Sequence, residues 1–155
     1  MKILIGVDGS PYSDAAIDEV AQRVWPEGSE VRVVHAFELP LSPTPEVWAL
    51  PTHYYEQLDH ALRSQSQSIV AEAVEKLKAA SGESLKVDSE IILGSPRAAL
   101  IDEAARWKAD LIVVGSHGYP TWERFLLGSV SQSVVSHANC SVEVVRIPKP
   151  TKLAA

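Results

Sequence analysis

Apolar residues recur along this chain in two alternating periods. Short β-branched runs have the length and content of buried strands: Ile3 to Val7, Val31 to about Phe37, about Leu85 to Leu93, Leu111 to Val114, and Ser141 to Ile147. Between them lie helical stripes. Ala15, Ala16, Ile17, Val20, Ala21 and Val24 mark one face behind Ser10-Pro11, where Ser10 suits an N-cap and Pro11 the first helical position. Leu58, Leu62, Ile69, Ala73 and Leu77 mark a longer helix over about Glu56 to Ala80, with Ser64, Gln65, Ser66 and Gln67 mostly turned to solvent. Gly94-Ser95-Pro96 repeats the turn, cap and proline before a third stripe, Leu100, Ile101, Ala104 and Ala105. Val130, Val134 and Val135 fall at helical spacing behind Ser129, which reads as the N-cap. The order β-α-β-α-β-α-β-α-β predicts an α/β fold, a doubly wound parallel sheet that binds ligands at the carboxyl ends of its strands.

One stretch interrupts the alternation. Residues 38–56 hold Pro40, Pro43, Pro45 and Pro51 with Val47, Trp48, Leu50, Tyr54 and Tyr55 among them. Proline at that density blocks regular structure, so a surface insertion is expected, packing its aromatics over the sheet end as a lid. The other expectations are plainer. A chain of 155 residues fits one domain, here residues 1–148 with a flexible tail over 149–155. The apolar fraction of 46% fits a compact globule. A formal charge of −6 argues against a nucleic-acid partner, which would demand clustered Lys and Arg. The lone Cys140 excludes an internal disulfide, no run has membrane-spanning length, and no signal peptide opens the chain, so a cytoplasmic location without membrane contact is expected.

Candidate chemistry gathers where the fourth strand ends. Leu111-Ile112-Val113-Val114 stops at Gly115, Gly118 follows, and after nine further residues come Gly128 and Ser129. Strand, glycine-punctuated loop and helix N-terminus together present bare backbone N–H groups to an anion. Gly115 and Gly118 would let a ligand approach the backbone, and Ser129 and Ser131 would add hydroxyl donors. The same glycines also suit an ordinary strand-to-helix turn, and from the residues alone the two readings stand level. The chain has no Gly-Lys dipeptide for a Walker A loop, and the G-x-G-x-x-G spacing is absent. Gly115-Ser116-His117-Gly118 is not a nucleophile elbow, so no hydrolase triad is proposed. His35, His53 and His60 lack neighbours at metal-ligand spacing and read as core or surface histidines. Trp25, Trp48, Trp107 and Trp122 lie near element ends as core covers, and Cys140 reads as small apolar filler.

The G-x-x-G-x9-G-[ST] pattern over Gly115 to Ser129, with Ser116-His117 and Leu127-Gly128-Ser129-Val130 as filler, resembles the nucleotide-binding signature of the universal stress protein family. The resemblance runs from Ile3 through Ile147 and implies a five-stranded sheet in the order 3-2-1-4-5 with helices on both faces. It implies ATP as ligand, with Mg²⁺ on the phosphates. Adenine would lie near Val7 and Ala36, and the phosphates over Gly115, Gly118, Gly128 and the turn Ser129, Val130 and Ser131. Val114 would line the same pocket. Asp8, at the end of the first strand, would take a ribose or the metal; its alternative is a loop carboxylate paired with a nearby N–H. The function implied is a nucleotide-dependent regulatory, stress-response module with at most slow ATP hydrolysis. An ATP-cleaving or adenylating enzyme using the same crevice is the alternative, and a dimeric stress protein without nucleotide is a third. Arg124 is the one basic residue in the loop. The family also implies a homodimer through the last strand, where Ser141 and Glu143 depart from the usual proline and aliphatic, and two Glu143 side chains near a two-fold would repel.

Overall fold

The computed structural model describes residues 1–39, 52–82, 84–118 and 127–147. Strands and helices alternate in the order β1 (Lys2–Gly6), α1 (Pro11–Gln22), β2 (Glu30–Phe37), α2 (Thr52–Ser81), β3 (Lys86–Leu93), α3 (Pro96–Trp107), β4 (Leu111–Gly115), α4 (Ser129–His137) and β5 (Ser141–Val145). The strands form one five-stranded sheet in the order β3-β2-β1-β4-β5, as the resemblance implies. Every pairing is parallel: Ile3 stands beside Val31 on one side and Leu111 on the other, and Ile112 beside Val142.

Helices cover both faces, which explains why the inner strands read as unbroken apolar runs rather than alternating ones. On one face Ile3, Ile5, Val31, Val33 and Val113 pack with Ala16, Ile17 and Val20 of α1 and Val70, Ala73 and Leu77 of α2. On the other, Leu4, Val34, Ile112 and Val114 pack with Leu100 and Ala104 of α3 and Val134 of α4. Cys140 joins this second cluster as filler, and burial pushes its thiol pKa up, with the Asp110 charge adding to the shift. Trp25 and Trp107 cover the two clusters, one each. Toward the amino ends of the strands, Arg32 clasps Asp88 at 2.9 and 2.6 Å and reaches the buried Glu103 at 2.8 Å. Glu103 also takes Arg106, so this buried carboxylate is paired twice and its charge is compensated.

Several local expectations are corrected. α1 ends at Gln22, and Val24, expected on its buried face, is 95% exposed. The chain turns extended at Arg23, and Trp25 folds back to donate its indole N–H to the Val20 carbonyl at 2.8 Å at the helix end. α2 begins at Thr52, not Glu56, so Tyr54 and Tyr55 belong to the helix rather than to an irregular insertion. The expected insertion otherwise lies outside the described residues, as do Trp48, Trp122, Arg124 and the tail. Ser66 is buried, not solvent-facing. Its hydroxyl donates to the Leu62 carbonyl at 2.7 Å, which lets a small polar side chain sit on the packed stripe beside Val70.

Candidate functional site

Two loops at the carboxyl ends of neighbouring strands build the site. After β1, Val7 N–H makes one more bond to the Val34 carbonyl at 2.9 Å, and then the chain leaves the sheet. Asp8 Oδ1 accepts from Ser10 N–H at 3.0 Å, Gly9 takes a positive φ of 75°, and Ser10 Oγ accepts from Ser13 N–H at 3.2 Å. This is an Asx turn running into an N-capped helix, so one carboxylate oxygen of Asp8 is held by backbone. Asp8 is therefore both paired with a nearby N–H and placed in the crevice.

After β4, Ser116 N–H donates to the Val145 carbonyl and Gly128 N–H to the Ser116 carbonyl, both at 2.8 Å, which folds the far end of the loop back onto its start. Gly128, not Ser129, is the N-cap of α4; Ser129 is the first helical residue. The Ser131 hydroxyl donates to the Gly128 and Ser116 carbonyls at 2.9 and 3.2 Å. Both bonds tie the first turn of α4 to the loop. What α4 does offer is the N–H groups of its first turn, Ser129, Val130 and Ser131, which have no intrahelical acceptor.

These loops enclose a crevice of about 890 Å³ beside the junction of β1 and β4, the point where strand order reverses. Val7, Asp8, Ala36, Val114, Gly115, Gly118, Gly128, Ser129, Val130 and Ser131, all named from the sequence, line it together. Ala36 contributes backbone. The Val34 carbonyl faces β1, and the two-residue alternation of a strand turns the Ala36 N–H and C=O the same way, past the last β1–β2 pair, Gly6 with Val34.

The glycines act for reasons the sequence did not give. A Cβ on Gly115 would stand 2.5 Å from the Tyr12 carbonyl oxygen, so this glycine admits the backbone of α1 against β4. On Gly118 it would stand 2.5 Å from Asp8 Oδ2, and on Gly128 it would stand 3.1 Å from the His117 α-carbon. Sequence reasoning also missed Arg146, which lines the crevice immediately beyond β5. Topology was the available signal, since in a parallel sheet whatever follows a strand's carboxyl end faces the ligand side. Among the described residues Arg23, Arg32, Arg63 and Arg106 are ion-paired, whereas Arg146 has no carboxylate partner. His35, expected only as a strand residue, is buried with Nδ1 2.7 Å from the Val7 carbonyl oxygen. His53 and His60 are exposed on α2. No group of three or more metal-ligating side chains occurs among the described residues.

A doubly wound sheet with a glycine-built loop and a bare helix N-terminus at its switch point defines a class, the α/β domains that bind at strand ends. Within that class the chain belongs to the universal stress protein family, whose profile matches residues 1–146. A universal stress protein of Methanocaldococcus jannaschii is 32% identical over 149 residues, covering 96% of this chain and 83% of the relative. Against one from Mycobacterium tuberculosis, 33% identical over 160 residues, the chain covers 50% of the relative's length. The hypothetical protein MJ0577 matches in structure with a TM-score of 0.80 at 25% identity, over 96% of this chain and 97% of that one. A universal stress protein solved in complex with cAMP matches with a TM-score of 0.62 at 27% identity, over 94% and 95%. No helix among the described residues is long and apolar enough to cross a membrane.

Proposed function

We propose that this protein is an adenine-nucleotide-binding regulatory module that takes ATP in the crevice between β1 and β4 and hydrolyses it at most slowly. The observation that carries the reading is the pairing of two unlike ends in one cavity. At one end the N–H groups of the α4 first turn and the positive pole of its dipole suit phosphate. At the other the Ala36 backbone offers one donor and one acceptor, which suits the ring nitrogen and exocyclic amine of adenine. The relative crystallised with cAMP supports an adenine nucleotide as the ligand class.

Phosphate charge must be balanced in an acidic protein, and Arg146 at the rim supplies one cation. Mg²⁺ fits as an ion carried on the phosphates rather than caged by protein. Asp8 is the sole carboxylate among the described lining residues, and Oδ2 is the oxygen not bonded to Ser10 N–H. Bound there, the ion would neutralise phosphate charge.

Calorimetry with ATP, AMP, cAMP and GTP, each with and without Mg²⁺, tests the reading. Binding of adenine nucleotides over GTP is expected, with Mg²⁺ strengthening ATP most. No heat from any adenine nucleotide at millimolar concentration would sink it. Phosphate release at enzyme-like rates, on the order of 1–10³ s⁻¹, would move the protein to the enzyme reading.

A further inference from the structure

We infer that His35 is a positioning residue for the base end of the crevice: by donating its Nδ1 proton to the Val7 carbonyl, it leaves the Ala36 N–H free for a nucleobase. The inference rests on the nucleotide reading above. The register of β1 and β2 runs regularly from Lys2 beside Glu30 to Gly6 beside Val34. Val7 N–H still bonds the Val34 carbonyl at 2.9 Å. In a parallel ladder the next rung would run from Ala36 N–H to the Val7 carbonyl. That rung is not made. The Val7 carbonyl instead meets His35 Nδ1 at 2.7 Å.

A carbonyl oxygen only accepts, so Nδ1 carries the proton and the tautomer is fixed by its partner. The imidazole reaches the carbonyl from the α1/α2 face of the sheet, because His35 alternates with Val34, which packs on the opposite face. It is buried, so the bond is shielded from water. The consequence is geometric. β1 parts from β2 one residue early without leaving a buried carbonyl unsatisfied, and the crevice opens at that parting. Ala36 then faces the gap with both backbone groups available. With an apolar side chain at position 35, the Val7 carbonyl would be orphaned or would recapture Ala36 N–H, closing the base end. The phosphate end is built from other segments, the loop after β4 and the first turn of α4.

That separation gives the test. Wild type, His35→Leu and His35→Asn are titrated calorimetrically with ATP and with inorganic tripolyphosphate, both with Mg²⁺. His35→Leu should lose about tenfold or more in ATP affinity and keep its tripolyphosphate affinity. His35→Asn, whose amide N–H can take the place of Nδ1–H, should recover most of the loss. Equal ATP affinity in wild type and His35→Leu, or a parallel loss for both ligands, would overturn the inference and leave the nucleotide reading standing. Failure of wild type to bind ATP at all would instead remove the nucleotide reading itself. Should His35→Leu not fold, ¹⁵N NMR of the wild type decides: a protonated Nδ1 and an Ala36 amide that exchanges readily until ATP is added are expected. A bare Nδ1, or an Ala36 amide protected like its ladder neighbours without ligand, would count against it.

Discussion

Asp8 Oδ2 faces the α-carbon of Gly118 across the crevice, so close that a Cβ on Gly118 would stand 2.5 Å from that oxygen. The obstacle is the end of a side chain, which can turn aside. Gly118→Ala should therefore fold with a melting temperature close to wild type. It should still push Asp8 off the Ser10 N–H and out of its place in the crevice, weakening ATP about tenfold. Gly118→Ala added to Asp8→Ala should change little more. Two independent losses that multiply would show that Gly118 acts on the ligand directly and not through Asp8.

Asp8→Ala alone should cost more in binding than in stability. Ser10 still caps α1 through Ser13 N–H, so the lost bond to Ser10 N–H contributes about 0.5–1.5 kcal/mol at most. Thermal melts of the ligand-free protein beside ATP titrations separate the two effects. A variant that melts far lower yet binds normally would assign Asp8 to the fold.

Gly115 should behave in the opposite way. Its missing Cβ would meet the carbonyl oxygen and carbon of Tyr12 at 2.5 and 2.6 Å, and this backbone belongs to a helix seated on the sheet. Such overpacking costs about 1–3 kcal/mol, so Gly115→Ala should lower the melting temperature by roughly 3–10 °C. An unchanged melting curve would refute the contact.

These contrasts mark how far the sequence could be read. The strands were legible because both faces of the sheet are covered, which writes burial as continuous β-branched runs such as Leu111 to Val114. The two proline-led helix starts at Pro11 and Pro96 were legible from local geometry. The position of each glycine was legible too, but its reason was not. Gly115 answers to Tyr12 and Gly118 to Asp8, partners more than a hundred residues away that only the fold brings near. His35 was opaque for the same cause: its chemistry lies in the Val7 carbonyl, and every residue has a carbonyl. Ser129 misled because a serine beside a glycine suits either the cap or the first turn, and the closure of Gly128 on Ser116 chose between them.

Arg146 should discriminate among ligands by charge. It is exposed at the rim and unpaired among the described residues, in a chain with a net charge of −6. An arginine so placed suits the outer phosphates better than the base. Arg146→Gln should weaken ATP by about tenfold and AMP by less, and should flatten the dependence of ATP affinity on salt. Equal losses for ATP and AMP would place its effect elsewhere.

The protein should pair with its own copy through β5. This strand bonds β4 on one side and is the edge of the sheet on the other. Its Ser116–Val145 bond turns the Val145 backbone toward β4, so by alternation Val142 and Val144 turn theirs outward, an unpaired row of the kind that recruits another strand. Glu143, which by sequence alone would repel its twin, is held by Arg23 in a two-pronged pair at 2.8 and 2.7 Å. Arg23 also takes Glu19 at 2.7 Å, and these carboxylates hold the guanidinium firmly protonated, so the shared cation offsets part of the charge each Glu143 would bring to its twin. Light scattering at micromolar concentration should return the mass of two chains. Val142→Pro removes one outward N–H near the start of the strand while leaving the rungs to β4, and should return the mass of one. Wild type with the mass of one chain would refute the pairing, and a Val142→Pro dimer would move it to another surface.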